Sequence, residues 1–124
     1  MLASRDPNQV YRRVDFDARV TAADPAELVK LCFEQLIAAI GSALIAEERG
    51  DNQTKSRALT RAISALTALQ LGVSGNDSMS QALLVLYNAA RKSVLDSVLA
   101  FHAPTLERIR ADFIEIAQSL TGAA

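Results

Sequence analysis

The chain has 124 residues, half of them apolar and only 5% aromatic, with no Trp. That size suits one domain with one core, filled by Leu, Ile, Val and Ala. Basic and acidic side chains number 13 and 14, a net charge of -1, which excludes a surface built to neutralise phosphate and so excludes nucleic acid as the expected partner. Cys32 is the single cysteine; no disulfide framework can form within the chain, as suits a reducing compartment.

Residues 1–23 form a segment of their own. Val14, Phe16, Ala18 and Val20 alternate with Asp15, Asp17 and Arg19. A period of two describes an extended strip with one apolar face, yet no other part of the chain reads as a strand to pair with it. Two readings stay open: a disordered tail, or a strip laid along the surface of the domain that follows.

That domain, residues 24–121, reads as four helices. Asp24-Pro25-Ala26-Glu27 is a helix start: a capping carboxylate, Pro where its missing N–H costs nothing, and Glu at the third position. Leu28, Leu31, Cys32, Leu36, Ile40 and Leu44 then recur at helical spacing, and Gly50-Asp51 ends the helix and opens the next. The second helix spans about residues 53–71, with Leu59, Ile63, Leu66 and Leu69 near one face and Gly72 after its end. Ser78 and Gln81 predict a capping box for the third, which carries Leu83, Leu86, Tyr87, Ala90, Val94 and Val98. Pro104 marks the first turn of the fourth, where Leu106, Ile109, Phe113, Ile116 and Leu120 make the narrow seam of a bundle helix. Long helices on short loops pack as antiparallel neighbours. The expected fold is therefore all-α, an antiparallel four-helix bundle with an extended N-terminal segment. Residues 24–51 carry a balance of -4 and residues 52–76 one of +3; the asymmetry favours the first two helices as neighbours, although each exposed pair is worth less than about 1 kcal/mol.

A search for chemistry finds no catalytic set, no metal site and no cofactor motif. His102 is the only histidine and stands about seventy residues from Cys32, whereas metal sites need several convergent ligands. A phosphotransfer bundle needs its His in mid-helix beside a Lys, and His102 falls at a helix end. The five glycines are scattered and build no phosphate loop. Cys32 lies on the apolar face of the first helix and reads as a buried thiol. The longest uncharged stretch, residues 62–76, has 15 residues, short of the ~20 apolar residues that span a bilayer. With no leader-like start, the expectation is a cytoplasmic protein without membrane insertion.

What the sequence has in excess is apolar surface. The second helix has no charge after Arg61, and Ala58, Ala62, Ala65, Ala68 and Leu71 widen its apolar side. The third carries six consecutive apolar residues, 82–87, more than one buried stripe requires. Either the third helix is central and covered on both sides, or the surface joins copies of the chain, or helices two, three and four form a shallow groove for an amphipathic or extended segment of a partner.

The ordered set Tyr11, Val20-Thr21-Ala22, Asp24-Pro25-Ala26-Glu27-Leu28-Val29, Phe33-Glu34, Gly50-Asp51, Ala62-Ile63, Leu66, Leu83 and Leu86-Tyr87-Asn88 resembles the flagellar secretion chaperones of the FliS family over about residues 10–118. The chain departs from the family pattern in lacking a Trp in the last helix, where Phe113 stands, and in having Asn88 where Asp is usual. The resemblance implies a helical bundle that binds the disordered C-terminal region of flagellin in the cytoplasm, prevents premature polymerisation, and assists delivery to the flagellar type III export apparatus. It implies no enzymatic activity and no cofactor. It also implies that the N-terminal segment, marked by Tyr11, covers part of the site in the free state. The candidate binding residues are Tyr11, Ile63, Leu66, Leu83, Leu86 and Tyr87. The alternative is a homo-oligomeric helical adaptor that uses the same apolar surface on itself.

Overall fold

Each helix begins where a polar side chain captures a first-turn amide. A computed structural model describes residues 24–120, in which four helices follow one another: α1 (Pro25–Glu48), α2 (Asn52–Leu71), α3 (Ser78–Leu99) and α4 (Ala103–Leu120). Asp24 accepts from the Glu27 amide at 2.8 Å and Asp51 from the Thr54 amide at 3.1 Å. At α3 the cap is Asp77, which accepts from the Ser80 amide at 2.7 Å, not the predicted Ser78, which is already helical. The charged carboxylate is the stronger acceptor at the positive end of a helix. The Gln81 side chain, expected to complete a capping box, instead donates to the Asn76 carbonyl at 3.1 Å. His102 opens α4: the Thr105 amide donates to its Nδ1 at 3.3 Å and the Leu106 amide to its carbonyl at 3.3 Å. The lone histidine is thus a helix cap. Gly50 (φ 68°) and Gly75 (φ 88°) take the left-handed conformations that the turns before α2 and α3 require.

The α1–α2 pair is the most extensive in the bundle, α4 lines the other flank of α1, α3 packs on α2, and α3 and α4 approach each other only sparsely. The antiparallel four-helix bundle expected from the sequence is therefore present, and among the described residues there is no strand. The segment 1–23 lies outside the described residues.

The α1–α2 interface explains the alanines. Ala39, Ala43 and Ala46 share one face of α1, Ala58, Ala62 and Ala65 share one face of α2, and all six are buried. Small side chains let two backbones come close along their whole length. Ala58, Ala62 and Ala65, read from the sequence as widening an open apolar side, are core, whereas Ala68 and Leu71 of the same row stay exposed. Lys55 adds an ion pair to Glu47 at 2.8 Å at the connecting turn, and its ammonium lies 5.1 Å from the centre of the Phe101 ring, joining the α1–α2 turn to the α3–α4 turn. At the opposite flank of α1, Arg110 of α4 donates its Nε to the Ile37 carbonyl at 3.2 Å. Gly41 leaves room for it, since a Cβ there would stand 3.2 Å from that nitrogen.

An aromatic cluster ties three helices together. Phe33 of α1, Tyr87 of α3 and Phe113 of α4 stand with ring centres 5.4 to 6.4 Å apart, each pair worth about 0.5–1.5 kcal/mol beyond its buried area. Phe113 is fully enclosed. By length and composition α1 alone among the described helices could cross a membrane, a feature missed by reading uncharged stretches, because Lys30 and Glu34 interrupt it. Its Leu31, Phe33, Leu36 and Ile40 are all buried in the bundle and Ile45 is its one exposed large apolar residue, so its hydrophobicity belongs to the core.

Candidate partner-binding surface

The third helix is the least covered. It is not the central helix that one sequence reading made it; α1 holds that place. Along α3, only Tyr87, Ala90, Val94 and two serines are buried, whereas Val85 is 70% and Leu99 92% exposed, and Met79, Leu95 and Val98 are exposed as well. Burying a side chain of this kind is worth about 1.5–3 kcal/mol, so the surface remains unsatisfied.

Helical geometry divides α3 into two flanks. Asn88 accepts from Gln70 Nε2 at 2.6 Å and Arg91 donates its Nε to Thr67 Oγ1 at 3.1 Å, which turns that side toward α2. Leu86, at ~100° per residue, lies on the other side, toward the sparse seam with α4, where Ile116 and Ala117 are likewise only partly buried against the core, and Leu83 falls between the two flanks, in line with the buried Ala90 and Val94. The candidate residues therefore do not form one cluster. Leu86 borders the α3–α4 seam and Leu83 the face between the seams, while Ile63, also partly buried, stands one turn before Thr67 on the α2–α3 seam. Leu66 is 0% exposed and Tyr87 3%; both belong to the floor beneath the surface. Tyr11 lies outside the described residues.

The sequence reading missed Arg91, Leu95 and the exposed positions Val85 and Leu99. A signal was present: positions 84, 88, 91, 95 and 98 of α3 and 60, 63, 67 and 70 of α2 advance by alternating fours and threes. That is the spacing of one helical stripe, but its polar members hid it.

Cys32 is buried, and burial pushes its thiol above the ordinary range; at neutral pH it is protonated and a poor nucleophile. Burial first, and the Cys32 sulfur second, push the Tyr87 hydroxyl up as well. Both groups act by packing.

The described residues thus form a helical bundle whose third helix leaves Val85, Leu95, Val98 and Leu99 exposed. Residues 7–121 match the family model for the flagellar protein FliS, and the chain belongs to that family. Its members are flagellar export chaperones, not known as enzymes. A comparison with curated proteins returned no match.

Proposed function

We propose that this chain binds the disordered C-terminal region of flagellin in the cytoplasm, keeps it from polymerising early, and assists its delivery to the flagellar type III export apparatus. The observation that carries the reading is the under-covered α3, with Leu86 and Ile116 half-buried along one flank, Ile63 along the other and Leu83 half-buried between them. A disordered client that folds as it docks loses conformational entropy and recovers it by covering a long apolar strip. Seams on two sides of one helix suit a segment that wraps around it. Ile63, Leu83 and Leu86 make contact in this reading. Leu66 and Tyr87 form the floor, and Tyr11 with the segment 1–23 covers part of the surface until the client arrives.

The test is titration of the chain with a flagellin C-terminal peptide, with light scattering to fix stoichiometry. One peptide per monomer is expected, with affinity about tenfold weaker or more for a Leu83→Ser/Leu86→Ser variant, as for interface anchors that each contribute 1.4 kcal/mol or more. No binding by a folded chain rejects the reading. A tight dimer indifferent to the peptide supports the homo-oligomeric adaptor, for which the exposure of Val85 and Leu99 is the favouring observation.

A further inference from the structure

We infer that the α2–α3 seam selects a client segment that carries a carboxylate in the middle of its apolar face, and that Arg91 is the residue that reads it. This deepens the client-binding reading and rests on it.

Arg91 is half-buried in the seam. Its Nε is taken by the Thr67 hydroxyl, and the ion pairs among the described residues join Lys55 to Glu47 and Lys92 to Asp96, the acid of α3, leaving Arg91 outside both. A guanidinium has five N–H donors, and the bond to Thr67 uses one of them. Apolar groups flank it lengthwise. Leu84 stands two turns before it and Leu95 one turn after it on the same stripe, and Ile63 lies one turn before Thr67 on the facing helix. The neighbouring polar pair, Gln70 with Asn88, is already satisfied.

Any segment that covers Leu84, Leu95 and Ile63 must also cover Arg91. Covering a cation without an acceptor is costly, and leaving it unpaired removes the gain from the apolar contacts around it. A carboxylate that meets the fork with two parallel hydrogen bonds removes that cost and fixes the register of the segment. The seam is thus complementary to an amphipathic helix with one Asp or Glu among its apolar residues, and discriminates against one with Gln or Lys there.

The experiment uses the full chain and three amphipathic 18-residue peptides, identical but for Glu, Gln or Lys at the centre of the apolar face, beside a flagellin C-terminal peptide. The Glu peptide is expected to bind about tenfold tighter than the Gln peptide, the Lys peptide weakest, with the Glu preference falling as salt is raised. Arg91→Gln removes the preference without altering thermal unfolding, and Arg91→Lys keeps part of it, since the charge remains but the fork does not. Equal affinity for Glu and Gln peptides, or no binding of any of the three, overturns the inference. So does a Glu preference that survives in Arg91→Gln, or an Arg91→Gln variant that changes only self-association. The flagellin arm is read separately: its failure alongside an Arg91-dependent Glu preference rejects the flagellin client and keeps the seam's selectivity, and the reverse result keeps the client and rejects the role of Arg91.

Discussion

Helices α1 and α3 are both rich in apolar residues and nearly equal in length, yet one is the centre of the core and the other its exposed edge. The difference lies in their neighbours. The first helix has α2 along one flank and α4 along the other, so Leu36 and Ile40 lose all contact with water. The third packs along α2 and meets α4 only sparsely, and Val85 and Leu99 face solvent. Apolar content tells how much surface a helix can bury; only the packing tells how much is left for a partner.

That contrast can be broken by mutation. Phe33→Ala in α1 should cost about 3–5 kcal/mol of stability, and Leu36→Ala about 2–5 kcal/mol, because each leaves a cavity in a packed site; urea denaturation measures both. The matching change on α3, Val85→Ala, should stay within about 0.5 kcal/mol. A large loss there would show that α3 is covered in solution. Enlarging an alanine sharpens the comparison: Ala62→Leu overpacks the α1–α2 interface and should cost about 1–3 kcal/mol, whereas Ala89→Leu, at an exposed position of α3, should be close to neutral for stability.

A smaller effect follows from the caps. Hydrogen bonds from Thr54 hold the Asp51 carboxyl below its ordinary range, and hydrogen bonds from Ser80 do the same for Asp77. For groups lowered in the folded state, the stability they contribute is complete above the unfolded value of about 3.9 and is lost as pH falls through the lower folded value. Acid titration followed by exchange of the Thr54 and Ser80 amides should show both helix starts fraying in that window. Asp77→Asn keeps an acceptor and removes the titration, so its α3 start should lose its pH dependence.

Much of the bundle was legible in the sequence because helix ends are local. Asp24-Pro25, Gly50-Asp51 and Pro104 fix boundaries through side chains that act within one turn. The shift of the α3 cap from Ser78 to Asp77 is also local, one acceptor displacing another. The packing of α2 was not legible. An alanine face can line an open groove or a close helix contact, and which one it does depends on the facing Ala39, Ala43 and Ala46 of the preceding helix. For the same reason Leu66 and Tyr87 could not be told from surface contacts by spacing alone, and Arg91 gains its meaning only from Thr67 on the neighbouring helix.

The central claim is that α3 is the helix left for a client. Hydrogen exchange of the full chain, with and without a saturating flagellin C-terminal peptide, tests it most directly. Without peptide, α3 should exchange faster than α1, as expected for a helix with fewer covered contacts. With peptide, protection should rise along α3 and the facing edge of α2 while α1 stays unchanged. Equal protection of α1 and α3 in the free chain, together with no gain along α3 on adding peptide, would contradict the account.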